Sequence, residues 1–227
     1  IKLLKSDKRM EQVLHFLQDL SQNNNRDWLQ ANRKRYEESR EKVLFLTELL
    51  INEIRKFDHE IPVMNPKDCM FRIFRDVRFS KDKRPYKTNF GSFIAKGGRK
   101  SHYAGYYFHI EPGGSFVGGG IYMPPAATLK AVREHIEQHP EEFLSILNDP
   151  EFKAIFPELM NHQLKTAPRG VPKNHKYIHL LRYKSYAFSS PVEKEIVSGS
   201  YFMETTVEAY KQLHKVNAFL NEGIHNS

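Results

Sequence analysis

The sequence lacks the cysteine pairs and the motifs that form disulfides and bind metals or nucleotides. Its 227 residues include a single cysteine, Cys69, which excludes an internal disulfide. Because Cys69 lies in an apolar stretch, we expect a small buried side chain and not a reactive thiol. No cysteine-rich or His-Glu-x-x-His spacing occurs, and residues 97–101 lack the spacing of a nucleotide-binding loop. The sequence therefore predicts neither a bound metal nor a cofactor.

Long apolar runs are also missing. No stretch approaches the about eighteen uninterrupted apolar residues that a membrane span requires. Residues 1–5 lack the apolar stretch and the small-residue cleavage site of a signal peptide. We therefore expect a cytoplasmic protein that has no membrane partner.

Linkers, internal repeats and low-complexity segments are absent, and 40% of the residues are hydrophobic. A chain of this length can bury a core in one domain of fair size. Apolar residues recur every three or four positions towards both ends and every second position in the middle. The sequence therefore predicts an α+β fold with one domain, residues 1–227. Its N-terminal and C-terminal helices should cover one face of a mainly antiparallel sheet that contains a central meander.

The same periodicities place the individual elements. The first helix is predicted to begin at Asp7, and the asparagines at residues 23–25 mark its end. Further helices are predicted at residues 26–57, 126–138, 141–147 and 150–155, and from about residues 192 and 201 onwards. The length of the second helix predicts a kink near Asn32. Strands are predicted at residues 70–79, 90–96, 103–111, 115–122 and 177–183. Pro112-Gly113-Gly114 should form a tight hairpin turn.

Basic charge is concentrated in a short part of the chain. Residues 71–100 hold ten basic and two acidic side chains, and their net charge of +8 equals that of the whole chain. A generally basic protein would spread this surplus. Because the stretch is also predicted to form strands and a tight loop, its composition favours a built anion site.

Arg75 occupies a costly position in the first predicted strand. Alternation places it in the middle of an apolar row made of Phe71, Ile73, Val77 and Phe79. A guanidinium keeps its proton, so it must pair with a carboxylate, bond to carbonyl groups or face a ligand anion. Two partners for the Arg75 guanidinium are open at this point: a buried acid, which would lock the sheet to a helix, and a ligand anion.

The loop at residues 80–89 adds four cations, hydroxyl donors and a turn stiffened by proline. Arginine binds phosphate or carboxylate through two parallel hydrogen bonds, whereas lysine supplies a point charge, so the mixture suits a phosphorylated or polycarboxylate ligand. A solvated surface loop is the alternative. The candidate ligand-binding residues are Arg75, Arg78, Lys81, Lys83, Tyr86, Lys87, Arg169 and Arg182.

Residues 159–192 form a second positive block that contains no acidic residue. If residues 177–183 form a strand beside the strand of Arg75, then Arg169, His179 and Arg182 converge on the same pocket. Otherwise the block is an exposed basic loop.

His109 and Glu111 are the main candidates for acid–base chemistry. They project from the same side of a predicted strand, so the carboxylate can orient the imidazole as a general base. A hydrogen-bonded surface histidine is the alternative. Asp76, which lies between Arg72 and Arg78, is the third candidate catalytic residue.

Three consecutive glycines, residues 118–120, lie on the returning strand of this hairpin. Glycine removes the side chain where a ligand or another backbone approaches closely, and a bulge or sharp bend explains the run equally well. Both explanations are open at this point.

Six segments of the sequence together form a specific pattern: residues 23–28 (NNNRDW), 75–89 (RDVRFSKDKRPYKTN), 109–113 (HIEPG), 118–120 (GGG), 168–170 (PRG) and 181–184 (LRYK). In these segments the sequence resembles the family called domain of unknown function 2461. They occur in the family's order and span nearly the whole chain. One departure is Leu29, where an aromatic residue is expected after the tryptophan. The resemblance implies little about activity, since the family is named for its lack of an assigned one.

Three hypotheses of function remain. The first, which we rank highest, is a pocket for a phosphorylated or other anionic small molecule, with His109 as acid or base and no tightly held metal. The second is a nucleic-acid binder in which bases stack on Tyr86, Tyr103, Tyr106 or Tyr107, although no helix-turn-helix, zinc-finger or RNP-type motif is present. The third is a non-catalytic interaction module in which Arg75 forms internal salt bridges. The sequence determines neither the ligand, nor a reaction, nor the oligomeric state.

Overall fold

The computed structural model describes residues 7–226, so the expectation about residues 1–5 lies outside it. The helices of this part of the chain are α1 (Asp7–Gln22), α2 (Arg26–Ala31), α3 (Arg33–Ile54), α4 (Pro66–Cys69), α5 (Ala126–Gln138), α6 (Pro140–Asn148), α7 (Pro150–Ile155), α8 (Ile178–Leu181), α9 (Lys194–Ser198) and α10 (Phe202–His225). The strands are β1 (Phe90–Ile94), β2 (Gly105–Ile110), β3 (Phe116–Ile121) and β4 (Tyr186–Pro191). They form an antiparallel meander in the order β1-β2-β3-β4, which confirms the predicted α+β class. Among residues 7–226, no helix combines the length and apolar character needed to cross a membrane.

The N-terminal helices form where the sequence periodicity predicted them. The Asn25 side chain caps α2 by accepting a hydrogen bond from the Trp28 N–H at 2.9 Å. Asn32 separates α2 from α3, and its side-chain amide donates to the Trp28 carbonyl at 3.0 Å. The predicted kink is therefore a complete break between two helices. The apolar face of α1 is buried, through Met10, Val13, Leu14, Leu17 and Leu20.

The described residues divide into two compact units, of which the first runs to Arg99 and includes Tyr107–Val117 and Pro191–Val207. In this unit the ring of Phe90 on β1 packs against Phe16 of α1 and Tyr36 of α3, with centroids 6.3 Å apart in both pairs. The N-terminal helices thus cover β1, as predicted.

The second unit contains Lys100–Tyr106, Gly118–Ser190 and the chain from Glu208. Tyr106 of β2 packs on Tyr210 of α10 with ring centroids 5.1 Å apart. Phe143 of α6 meets the ring of Tyr186 edge-on and stacks with Phe219 of α10 at 5.2 Å. Aromatic rings therefore join the C-terminal helix to a strand and to a neighbouring helix in this unit.

The strand predicted at residues 70–79 is wrong. Only two isolated antiparallel bridges form here, Met70 with Ser92 and Phe74 with Tyr86. The Arg75 N–H donates to the Pro85 carbonyl at 2.9 Å, but proline has no N–H to return, so the pairing ends. The predicted apolar row fails with it, because the last member, Phe79, is 96% exposed.

The strand predicted at residues 177–183 is also wrong, because this segment contains the short helix α8. Leu180 and Leu181 are both buried, which a helical turn permits and a strand with one buried face does not. The Tyr186 hydroxyl donates to the Leu180 carbonyl at 2.9 Å and holds the turn against β4. The fourth strand of the sheet, which the sequence analysis missed, follows as β4.

The glycine run of β3 is explained by close approach of neighbouring backbone. A Cβ on Gly118 would meet the Phe188 carbonyl oxygen inside van der Waals contact, and a Cβ on Gly120 would meet that of Tyr186 in the same way. Gly120 also has φ +91°, which side-chain-bearing residues rarely adopt. No ligand is needed to account for these glycines.

This crowding predicts unequal costs for two glycine substitutions. Gly120→Ala adds a backbone clash to a positive φ, so we expect a loss of about 4 kcal/mol or more in the free energy of unfolding, or no soluble protein. Gly170 has φ +87° with nothing within 4 Å of its Cβ position, so Gly170→Ala should cost only the backbone strain, about 1–2 kcal/mol. Urea unfolding followed by circular dichroism measures both, and equal losses would contradict the explanation.

Candidate functional site

His109 and Glu111 lie side by side at the end of β2, as the alternation predicted. The imidazole Nε2 is 3.1 Å from Glu111 Oε2, and the two side chains are 14% and 33% exposed. The second imidazole nitrogen, Nδ1, is 2.9 Å from the hydroxyl of Tyr107. Both nitrogens of the ring are therefore engaged, and the carboxylate is the more exposed member of the pair.

The hydrogen bonds continue on the far side of the carboxylate. The Thr88 hydroxyl donates to Glu111 Oε1 at 2.6 Å, and we call Tyr107, His109, Glu111 and Thr88 the His109 network. The ring of Phe116 stacks on the His109 imidazole, with centroids 4.7 Å apart and planes 14° apart. This stacking holds the ring in the plane that its two hydrogen bonds require.

The network has a defined direction for its protons. When Glu111 is ionised and the imidazole is neutral, the carboxylate only accepts hydrogen bonds, so His109 Nε2 donates to it and Nδ1 accepts from the Tyr107 hydroxyl. Burial, and after it the nearby Glu111 charge, raise the pKa of Tyr107 to about 12, so the phenol keeps its proton. A ligand that approaches from solvent meets the Glu111 carboxylate before the imidazole.

The surroundings of Tyr107 explain how the network is positioned. Gly91 on β1 leaves the space that the phenol occupies, since a Cβ there would clash with the Tyr107 hydroxyl. The Phe71 ring meets the Tyr107 ring edge-on at a centroid distance of 6.2 Å. The sequence analysis missed the roles of Tyr107 and Thr88. The spacing of Tyr107, His109 and Glu111 at every second residue was a signal that could have found the first of them.

Lys87 is the predicted anion ligand that lies beside this network. Its ammonium is 5.5 Å from the centroid of Phe71, the ring that contacts Tyr107, and the next residue is Thr88. Burial lowers the pKa of Lys87, and the charge of Arg72 lowers it further. Within residues 7–226, neither Lys87 nor Arg72 forms an ion pair.

Most of the other predicted anion ligands have internal partners. Asp82 Oδ2 is 2.6 Å from Arg75 Nη1 and 2.7 Å from Arg84 Nη2, and these hydrogen bonds, first those of Arg84, lower the pKa of Asp82. Asp76, a predicted catalytic residue, pairs with Arg78 at 2.7 Å, and this hydrogen bond lowers its pKa. Arg75 thus has a carboxylate partner in its own loop rather than on a helix.

Lys83 and Tyr86 are also used within the fold. The Lys83 ammonium donates to the Val77 carbonyl at 3.0 Å. Tyr86 is 6% exposed, and its backbone N–H and C=O bond to the side chain of Asn24 at 3.1 and 3.0 Å. Lys81 is exposed. Lys81 and Lys83 both lack an ion pair among the described residues, and Lys81 also lacks a described hydrogen bond.

Arg169, His179 and Arg182 were expected to converge on the pocket of Arg75 if residues 177–183 formed a strand. These residues form no strand, so the condition for that expectation is not met. The Arg182 guanidinium donates to the carbonyls of Leu164 at 2.8 Å and Lys165 at 3.2 Å, so it stabilises a local loop. Arg169 and His179 are exposed.

Cys69 is buried, as expected. Its thiol donates to the Met64 sulfur at 3.2 Å, and burial raises its pKa to about 11. A thiol with this pKa is almost fully protonated at neutral pH and is a poor nucleophile.

A hollow of about 260 Å³ on the surface of α3 does not suit an anion. It is lined by Glu38, Glu41, Lys42 and Phe45, and the Lys42 ammonium donates to Gln12 at 2.6 Å. Within the described part of the chain, no group of three or more His, Cys, Asp and Glu side chains is placed to hold a metal ion.

A family model described as a conserved hypothetical protein, DUF2461, matches residues 12–219. The chain belongs to this family, which confirms the resemblance found in the sequence. No curated protein and no solved structure matches the chain.

The raised pKa of Tyr107 predicts a specific alkaline behaviour. In the unfolded chain a tyrosine loses its proton near pH 10, whereas folded Tyr107 keeps it to about pH 12. Between these values the folded state holds a proton that the unfolded state has released, so this residue makes the free energy of unfolding fall as the pH rises. Tyr107→Phe removes this contribution, and we expect a shallower fall above pH 10 by urea unfolding.

The control is Tyr201→Phe, which removes the hydroxyl of a side chain that is 64% exposed. It should leave the wild-type slope unchanged. A Tyr107→Phe protein whose unfolding free energy falls as steeply as that of the wild type would show that the phenol is not held in its neutral form.

Proposed function

We propose that the protein binds a phosphorylated or otherwise anionic small molecule beside the His109 network. Lys87 and Arg72 would contact the anion, and Glu111 with His109 would accept or donate a proton. The observation that carries the proposal is the state of Lys87, which is half-buried, next to the network and without an acid partner among residues 7–226.

The physical reason lies in the cost of placing Lys87 there. Removing an ammonium from water disfavours its charged form, and the charge of Arg72 adds repulsion. A fixed acid relieves the same cost elsewhere in this stretch, since Asp82 pairs with Arg75, whose side chain is 23% exposed. An anion bound between Lys87 and Arg72 would relieve both the desolvation and the repulsion. A phosphate suits a mixture of one lysine and one arginine.

The His109 network supplies what a bound molecule would need for proton transfer. Glu111 is the exposed group, and His109 Nε2 lies directly behind it at 3.1 Å. Tyr107 and Phe116 prevent the imidazole from turning away. A proton taken from a ligand hydroxyl by Glu111 would be stabilised by this neighbour, which is the arrangement of a general base supported by a second group.

The proposed site is smaller than the clamp expected from the sequence. The internal pairs of Arg75 and Arg78 support the interaction-module hypothesis for that part of the loop. They do not account for Lys87, because its cost is not offset by a described acid. We therefore assign anion contact to Lys87 and Arg72 and treat Arg75 and Arg78 as part of the loop's own framework.

Thermal stability in the presence of anions tests the proposal. We expect inorganic phosphate, a sugar phosphate or a tricarboxylate to raise the Tm above that in chloride of equal ionic strength, because a ligand bound only by the folded state stabilises it. A ligand at one hundred times its Kd adds about 2.7 kcal/mol. Lys87→Met should abolish the rise.

The matched control is Lys153→Met, which removes an exposed lysine of α7 and should keep the rise. His109→Gln should also keep it, since His109 does not contact the anion in this proposal. The proposal is wrong if no anion exceeds chloride, or if Lys87→Met responds like the wild type.

A further inference from the structure

Residues 76–84, which we call the basic finger, form a loop that presents an exposed aromatic ring. Phe79 is 96% exposed, the highest value of any large hydrophobic side chain in the described part of the chain. The finger also contains four exposed cations, of which Arg78 and Arg84 pair with Asp76 and Asp82, while Lys81 and Lys83 form no ion pair among the described residues. An exposed phenylalanine alone needs no explanation, but one on an ordered loop that also carries exposed lysines does.

The finger is held in shape by its own ion pairs. Asp82 pairs with Arg75 at 2.6 Å and with Arg84 at 2.7 Å, which ties the two arms of the loop together. The Lys83 ammonium donates to the Val77 carbonyl at 3.0 Å across the same loop. A loop ordered before binding loses less conformational entropy when a partner binds.

We propose that the basic finger binds single-stranded nucleic acid. Phe79 stacks on an unpaired base, and the two exposed lysines of the finger that have no described ion pair, Lys81 and Lys83, contact the phosphates on either side. Stacking on an aromatic side chain tolerates any base, and clustered cations supply the sequence-independent part of the affinity.

The structure favours this partner over a membrane surface. The Arg78 guanidinium carbon lies 5.8 Å from the centroid of the Phe79 ring, and Arg78 is paired with Asp76. Insertion of the ring among lipid chains would draw both charges towards hydrocarbon, which is costly. Apart from Phe79, Val77 is the one apolar residue of the finger. Stacking of a base on Phe79, in contrast, keeps the Arg78 guanidinium in water, near the phosphates.

Phe79 is more exposed than the tyrosines expected from the sequence to stack on bases, of which Tyr103 is partly buried and packs on His225 with ring centroids 5.0 Å apart. Tyr86 and Tyr106 are 6% and 0% exposed, so neither ring can receive a base. The Tyr107 hydroxyl is bonded to His109. This proposal does not depend on the proposed small-molecule site, since it uses neither Lys87 nor the His109 network.

Fluorescence anisotropy with the full chain and labelled fifteen-nucleotide oligo(dT) and oligo(U) tests the proposal in low salt. Phe79→Ala should weaken binding about tenfold, because base stacking on an aromatic residue contributes about this much. The control, Tyr201→Ala, truncates a tyrosine that is 64% exposed and lies outside the finger, and should change the affinity little. Both substitutions are at the surface, and circular dichroism will show that the variants are folded.

A second variant tests the cations separately. The logarithm of the affinity should fall linearly with the logarithm of salt concentration, and Lys81→Gln should reduce the slope by about 0.7 if Lys81 contacts one phosphate of a single strand. Lys153→Gln, which removes an exposed lysine of α7, should leave the slope unchanged.

Four outcomes would overturn the proposal. They are an absence of oligonucleotide binding in low salt, wild-type affinity of Phe79→Ala, equal affinity for a blunt duplex of the same length, and Phe79-dependent binding to phosphatidylserine vesicles without binding to oligonucleotides. The last would assign the finger to a membrane surface.

Discussion

Asp82 accepts hydrogen bonds from two arginines, and this pairing determines which cations of the basic stretch remain available. Because Arg75 and Arg84 share one carboxylate, the loop is ordered and its two arms are tied together. Arg78 is similarly occupied by Asp76. Among the described residues, Asp76 and Asp82 thus neutralise Arg75, Arg78 and Arg84, three of the ten cations of the stretch, and leave Arg72, Lys81, Lys83 and Lys87 without an ion pair.

The His109 network shows how a sheet supports chemistry with side chains from one strand. Alternate residues of β2 place Tyr107, His109 and Glu111 in a row, and Thr88 ends the row from outside the strand. Every polar atom of the imidazole is satisfied, so the ring can be partly buried without a large desolvation cost. The more exposed Glu111 carboxylate connects this partly buried series of hydrogen bonds to solvent.

Much of the fold could be predicted from local patterns. The helices α5 and α7 begin and end at the predicted residues, because proline and polar residues bound their apolar faces. The hairpin turn forms at Gly113, whose φ of +74° glycine adopts without strain. The strand predicted at residues 70–79 is wrong because Pro85 ends the pairing with the neighbouring segment. The strand predicted at residues 177–183 is wrong because the adjacent residues Leu180 and Leu181 are both buried in a helical turn. In both places, the structure depends on the other segments of the chain that the residues contact, and the sequence of one segment does not show which segments those are.

The sequence by itself determined the α+β class, the family and the pairing of His109 with Glu111, since each depends on local spacing or on a long motif. Only the tertiary structure decided which cations are neutralised, because Asp76 and Asp82 could have paired with any of several arginines and the backbone path selects among them. It also decided that Tyr107 belongs to the His109 network and that Phe79 is exposed. Burial depends on the neighbours that the fold brings to a residue, and one chain segment does not contain that information.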